Sequence, residues 1–138
     1  MLGAFATLRV FGAALDPDEV TTLLQRAPTS SHRAGDRVSP RVTAQRKRGM
    51  WLLESVLPRT ATLSEHVIRL IALLPNDRAL WADLHQRYIV DVYCSVDVRV
   101  PNSGTELTAS AIEALAARGL SIQFDFYALL AEEDGEAD

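Results

Sequence analysis

The 138-residue chain carries a net charge of −4, with 48% hydrophobic and 23% charged residues, a composition that excludes a wholly disordered protein. It is long enough to bury roughly 68% of its unfolded surface as one ordinary domain, and no apolar run reaches the ~20 residues that span a bilayer. A single cysteine excludes an internal disulfide, and Met1-Leu2-Gly3-Ala4-Phe5 lacks the basic start and cleavage pattern of a signal peptide. The expected compartment is the cytoplasm.

In chain order, "FATLRVFG" reads as a strand with Ala6, Leu8 and Val10 on one side and Thr7 and Arg9 on the other. A helix follows over "LDPDEVTTLLQRAP": Asp16 is the predicted N-cap, Pro17 takes the first helical position, and Glu19 is placed to complete a capping box. Pro28 ends it. Residues 29–40 read as a loop, 41–48 as a polar strand and 49–56 as a stronger one, the last two forming a hairpin. Thr62 and Glu65 form another capping box ahead of "LSEHVIRLIALL", whose apolar stripe is Leu63, Val67, Leu70, Ile71 and Leu74. After Pro75-Asn76, "DRALWADLHQR" is a short helix. Residues 90–98, "VDVYCSVDV", then alternate without a slip as a strand, "PNSG" turns, Thr108 caps a helix ending at Gly119, and "LSIQFDFY" is the last strand.

The order β-α-β-β-α-α-β-α-β predicts an α+β two-layer sandwich. It has a mixed sheet of about five strands, a ferredoxin-like βαββαβ core and a C-terminal αβ extension. Strict alternation in the last two long strands predicts helices on one face only, because a sheet covered on both faces shows continuous apolar runs. Residues 1–131 form the expected single domain and 132–138, "EEDGEAD", an acidic disordered tail.

The polar side of that sheet is the candidate binding surface: Arg9, Asp91, Tyr93, Ser95, Asp97, Gln123, Asp125 and Tyr127. Asp91 and Asp97 share a strand face but stand roughly 20 Å apart along it, so they cannot share a proton or grip one metal. Asp125, on a neighbouring strand, could approach either. Alternation alone requires polar residues here, so a solvated face is the plain reading; two tyrosines among charges suit partner binding. Cys94 falls on the valine side and reads as core. His32, His66 and His85 have no second ligand at metal-motif spacing, and the chain has no phosphate loop, nucleophile elbow or kinase motif. Neither metal nor cofactor is expected.

Charge is uneven. Residues 33–48 hold six basic side chains and one acid, whereas 132–138 hold five acids and no base. The basic stretch, Arg46, Lys47 and Arg48 in particular, suits an acidic protein surface. With no aromatic to stack bases and an acidic chain overall, nucleic acid is not the expected partner. Trp51 and Trp81 are expected in the core, each with an acceptor for its indole N–H.

From about residue 5 to residue 127 the chain resembles the bacterial family described as domain of unknown function 4279. The resemblance rests on the first strand followed by "LDPDEVTTLL", on Gly35-Asp36, on "WLLES" before "LSEHVIRLIALL", and on "ELTASAIEALAARGLSIQFDFY". It implies a small bacterial α+β domain found as a stand-alone protein and supplies no active site. Two readings stay open. One is a non-enzymatic protein-interaction domain, of immunity or accessory type, binding through the polar sheet face or the basic hairpin. The other is a small enzyme or ligand sensor using Asp125 with Asp91 or Asp97, Tyr127 and Arg9 in a pocket. The partner is a protein or a small polar ligand, no membrane is involved, and an edge strand offers a route to a homodimer.

Overall fold

Strand β1 (Ala4–Gly12) lies at the centre of a five-stranded sheet in the order β2-β3-β1-β4-β5. The computed structural model describes residues 3–129, so the acidic segment 132–138 lies outside them. The other strands are β2 (Ser30–His32), β3 (Gly49–Glu54), β4 (Ile89–Val98) and β5 (Ser121–Ala128). The helices are α1 (Pro17–Leu24), α2 (Leu63–Ala72), α3 (Arg78–Arg87) and α4 (Ala109–Ala117). β1 pairs antiparallel with β3 and β4, β2 antiparallel with β3, and β5 parallel with β4. Each helical connection therefore joins parallel strands, and the first four strands have the split βαβ arrangement of a ferredoxin-like core, with β5 added outside β4.

The helices share one face: α2 packs on β1, α1 on β3, α3 on β4, and α4 against α2. Beneath them Leu8, Val10, Trp51, Val92 and Cys94 are buried against Val20, Leu24, Val67, Leu70, Trp81 and Leu84. Each such aliphatic side chain contributes about 1.5–3 kcal/mol by leaving water. Both indoles are satisfied, Trp51 Nε1 donating to Thr21 Oγ1 at 3.0 Å and Trp81 Nε1 to the Pro75 carbonyl at 2.9 Å. The Thr62–Glu65 capping box closes in both directions.

Three local readings are corrected. Glu19 does not complete a capping box: its carboxylate accepts from Tyr88 Oη at 2.9 Å and pairs with Arg87, which holds it below the usual carboxylate range. The loop read over 29–40 contains β2, a short polar edge strand that only backbone pairing with β3 defines. The polar strand read over 41–48 is absent. β2 and β3 form the hairpin, and 33–48 is the long excursion between them, closed by one isolated bridge, Arg37 to Gln45. Pro40 and the flanking charges give 41–48 no apolar side to lay on a core.

A polar knot lies under the start of α2. Ser55 and His66 are fully buried, and their side chains meet at 2.6 Å through His66 Nδ1. His66 Nε2 faces the Pro58 carbonyl at 3.0 Å. A carbonyl only accepts, so Nε2 carries the proton, Nδ1 accepts from Ser55 Oγ, and the ring is neutral. Ser55 Oγ also accepts from the Ala6 N–H at 3.3 Å, which fastens β1 to the chain just before Val56. Val56 is held at φ 50°, a strained conformation for a β-branched residue.

Burial pushes His66 below the ordinary histidine range. The unfolded chain therefore binds the extra proton first, and stability is full above about pH 6.5 and lost as pH falls below it. The melting temperature should hold between pH 8 and 7 and drop towards pH 5. His66→Gln should melt lower throughout but with a shallower drop; an equal slope in the variant would refute the assignment. Cys94 is buried and its thiol is pushed up to about 12 by desolvation, so a bulky thiol reagent should label the folded protein far more slowly than the urea-unfolded chain.

Candidate functional site

The face of the sheet away from the helices is where period-two alternation sends the odd-numbered residues of β1, β4 and β5. Register puts Arg9 opposite Asp91, Thr7 opposite Tyr93 and Phe5 opposite Ser95. It also sets Gln123, Asp125 and Tyr127 beside Tyr93, Ser95 and Asp97. All the residues read from the strands as a polar face are thus brought together.

At its centre Arg9 grips Asp91 with two parallel bonds, Nε to Oδ1 and Nη2 to Oδ2, both 2.8 Å. The same guanidinium lies 4.9 Å from the Tyr93 ring centroid and 5.0 Å from that of Phe11. Arg48 stacks on Phe11 at 4.4 Å, and Arg59 lies 4.9 Å from the Phe5 centroid while bonding Asp97 at 3.0 Å. Tyr93 Oη donates to Asp125 Oδ2 at 2.6 Å and meets Tyr127 Oη at 3.3 Å. Donation to a carboxylate holds the Tyr93 phenol well above its ordinary value, because ionising it would set two anions together.

The consequence departs from the reading of a simply solvated face. Asp91 is 8% exposed, Ser95 1% and Phe11 5%, although no helix covers them. Long side chains lying across the strands supply the cover. Asp91 is therefore an internal support of the surface, while Tyr127, at 47%, is one of its accessible groups. The three carboxylates are partnered separately: Asp91 with Arg9, Asp97 with Arg59, Asp125 with Tyr93. Among the described residues no group of three or more His, Cys, Asp or Glu is placed to hold a metal ion, and no helix is long and apolar enough to cross a membrane.

The basic segment joins this face at one edge. Its two legs are held by Gly35 N to Arg46 O at 2.9 Å and Val38 N to Ala44 O at 2.9 Å. Arg48 leans onto Phe11, and Arg33 pairs with Asp16 and Asp18. Arg46 and Lys47 lie on the returning leg. Arg37, Arg41 and Lys47 form no salt bridge among the described residues. Phe5, Phe11 and Arg59 were missed as parts of the surface. The two phenylalanines alternate with Thr7 and Arg9 and were there to be read, whereas Arg59 sits in a loop whose path no periodicity reports.

These features define an α+β domain with a ferredoxin-like core, one helix-covered sheet face and one open face roofed by arginines. The chain belongs to the family DUF4279, a domain of unknown function, which matches residues 3–129. No curated protein and no solved structure matches it.

Arg9→Ala should cost about 2–3 kcal/mol, because it strands a desolvated carboxylate at the middle of the sheet and uncovers two rings. Arg9→Lys should recover only part, having no second parallel donor. The double change Arg9→Met with Asp91→Leu should recover most of the loss. Urea midpoints read all three, and a loss below about 0.5 kcal/mol for Arg9→Ala, the scale of an exposed pair, would contradict the support role.

Proposed function

We propose that this protein is a non-enzymatic interaction domain, of accessory or immunity type and working in the cytoplasm, that docks a protein partner on its open sheet face and adjoining basic segment. The observation that carries this reading is the continuity of the surface. From Arg48, at the end of the basic segment and stacked on Phe11, it passes to Arg9, Tyr93 and Tyr127. Arginine and tyrosine are the residue types that dominate interface energetics, and here the polar ends of Arg9, Tyr93 and Tyr127 are already paired. Side chains fixed in advance lose little freedom on binding, which favours a flat docking face.

The complementary partner has an acidic rim facing the basic segment and apolar spots facing the rings. A carboxylate-based enzyme is the weaker reading, since Asp91, Asp97 and Asp125 each already hold a donor or a cation. Nucleic acid is also disfavoured: the cationic stretch 33–48 contains no aromatic residue and the chain is acidic overall.

Affinity capture from the native host, with mass spectrometry of proteins and small molecules, would identify the bound species. Tyr127→Ala and the pair Arg41→Glu with Lys47→Glu change exposed side chains and should leave the melting temperature nearly unchanged. Each should weaken the captured complex at least about tenfold, and the charge pair should also flatten its salt dependence. Full-strength binding in both variants would remove the open face as the docking site.

A further inference from the structure

The helical layer stops short of β5. Register places Phe124 beside Cys94 and Phe126 beside Val96, on the side the helices cover elsewhere. Yet Phe124 is 43% and Phe126 56% exposed, with their rings stacked at 5.7 Å. Next to them, between α4 and the start of β5, is an apolar cavity of about 340 Å³ lined by Leu107, Ile112, Ala116, Leu120 and Ile122. β5 is also a sheet edge, with backbone groups pointing away from β4.

We propose that β5 pairs antiparallel with β5 of a second copy of this chain, around a twofold axis at Phe124. The backbone fixes the parity of the pairing. Leu129 N–H donates inward to the Val98 carbonyl, so along the alternating strand the outward N–H and C=O groups belong to residues 122, 124, 126 and 128. Only registers that oppose even residues to even residues join two such edges, and these keep the helices of both copies on one side.

Side chains then choose among those registers. Centring between Phe124 and Phe126 sets Asp125 against itself, which like charge opposes. Centring at Phe124 sets Gln123 opposite Asp125 of the second copy, and Ile122 opposite its Phe126. That phenylalanine then stands at the mouth of the apolar cavity, and the twofold repeats the contact. The arrangement makes about six backbone hydrogen bonds and covers the phenylalanine strips of both copies. Self-complementarity of this kind is what commits the surface to a second copy. The opposite edge suits pairing less: β2 has three residues and is followed by the basic segment, which would meet its own like charge.

Light scattering on the full chain should give twice the 15.2 kDa chain mass at micromolar concentration. Phe126→Glu, a change at an exposed position, should return the mass to that of one chain with the circular dichroism spectrum retained. Gln123→Glu should weaken the dimer and Gln123→Arg tighten it, each severalfold. In a Cys94→Ala background, which removes the thiol beside position 124, Phe124→Cys should link two chains under mild oxidation, since paired Cα atoms about 5.5 Å apart suit a disulfide. Phe126→Cys should link far more slowly. A single-chain mass for the native protein would mean that another protein, or residues of the same chain, cover the strip, and would overturn the proposal. So would a dimer indifferent to Phe126→Glu. Equal linking at 124 and 126 would overturn the register. None of these readouts involves the open-face partner.

Discussion

Arg9 and Asp91 form an ion pair at the middle of a sheet face that no helix shelters, and the shape of that face follows from how the pair is kept dry. Asp91 stands on a central strand opposite Arg9 and two residues from Tyr93, and at 8% exposure it has little water to solvate it. Two parallel bonds from one guanidinium replace that water. Because a guanidinium is flat and weakly hydrated, it can also lie against Tyr93 and Phe11. Arg48 and Arg59 repeat the stacking over Phe11 and Phe5. The sheet thus closes its second side with its own side chains. A third layer would have made the face unavailable.

The other side has the opposite economy. α1, α2 and α3 rest on β3, β1 and β4, and α4 leans on α2. Five strands are therefore wider than the helices laid over them. The shortfall lands on β5, whose inward-pointing positions hold Ile122, Phe124 and Phe126. Past Val92, Cys94 and Val96 the core thins to Ile122, which packs against it only partly buried. Beyond it the same alternation continues into side chains that pack on each other and on water.

This explains which parts were legible in the sequence. Alternation reports the side of a sheet on which a residue sits, and it assigned Val92, Cys94, Tyr93 and Asp97 correctly. Caps are equally local, so Thr62 with Glu65 and Thr108 could be read from their neighbours. Alternation does not report what lies above a residue. Asp91 reads as wet and is buried under Arg9; Phe126 lies on the helix side of the sheet, beside Val96, and is exposed. Glu19 was lost to partners 68 and 69 residues away, Arg87 and Tyr88, and β2 exists only through β3. In each case a long-range neighbour decides, and one sequence read alone holds no record of it.

Tyr127 and Asp125 belong to both surfaces. Their side chains sit on the open face, bonded to Tyr93, while the backbone around them forms the outer edge. The proposed pairing of β5 with its copy would therefore extend the open face across two sheets without altering the Arg9–Asp91 centre. It would bring two Tyr93–Asp125–Tyr127 clusters to either side of the twofold axis. A partner seated on such a face meets the central strands of a continuous sheet, with the basic segments at its two far ends. Charge at the rim and rings towards the middle is the distribution found in protein-binding surfaces. Geometry here links assembly to recognition, because the strand that carries the outermost tyrosine is an edge strand whose outer side is unpaired.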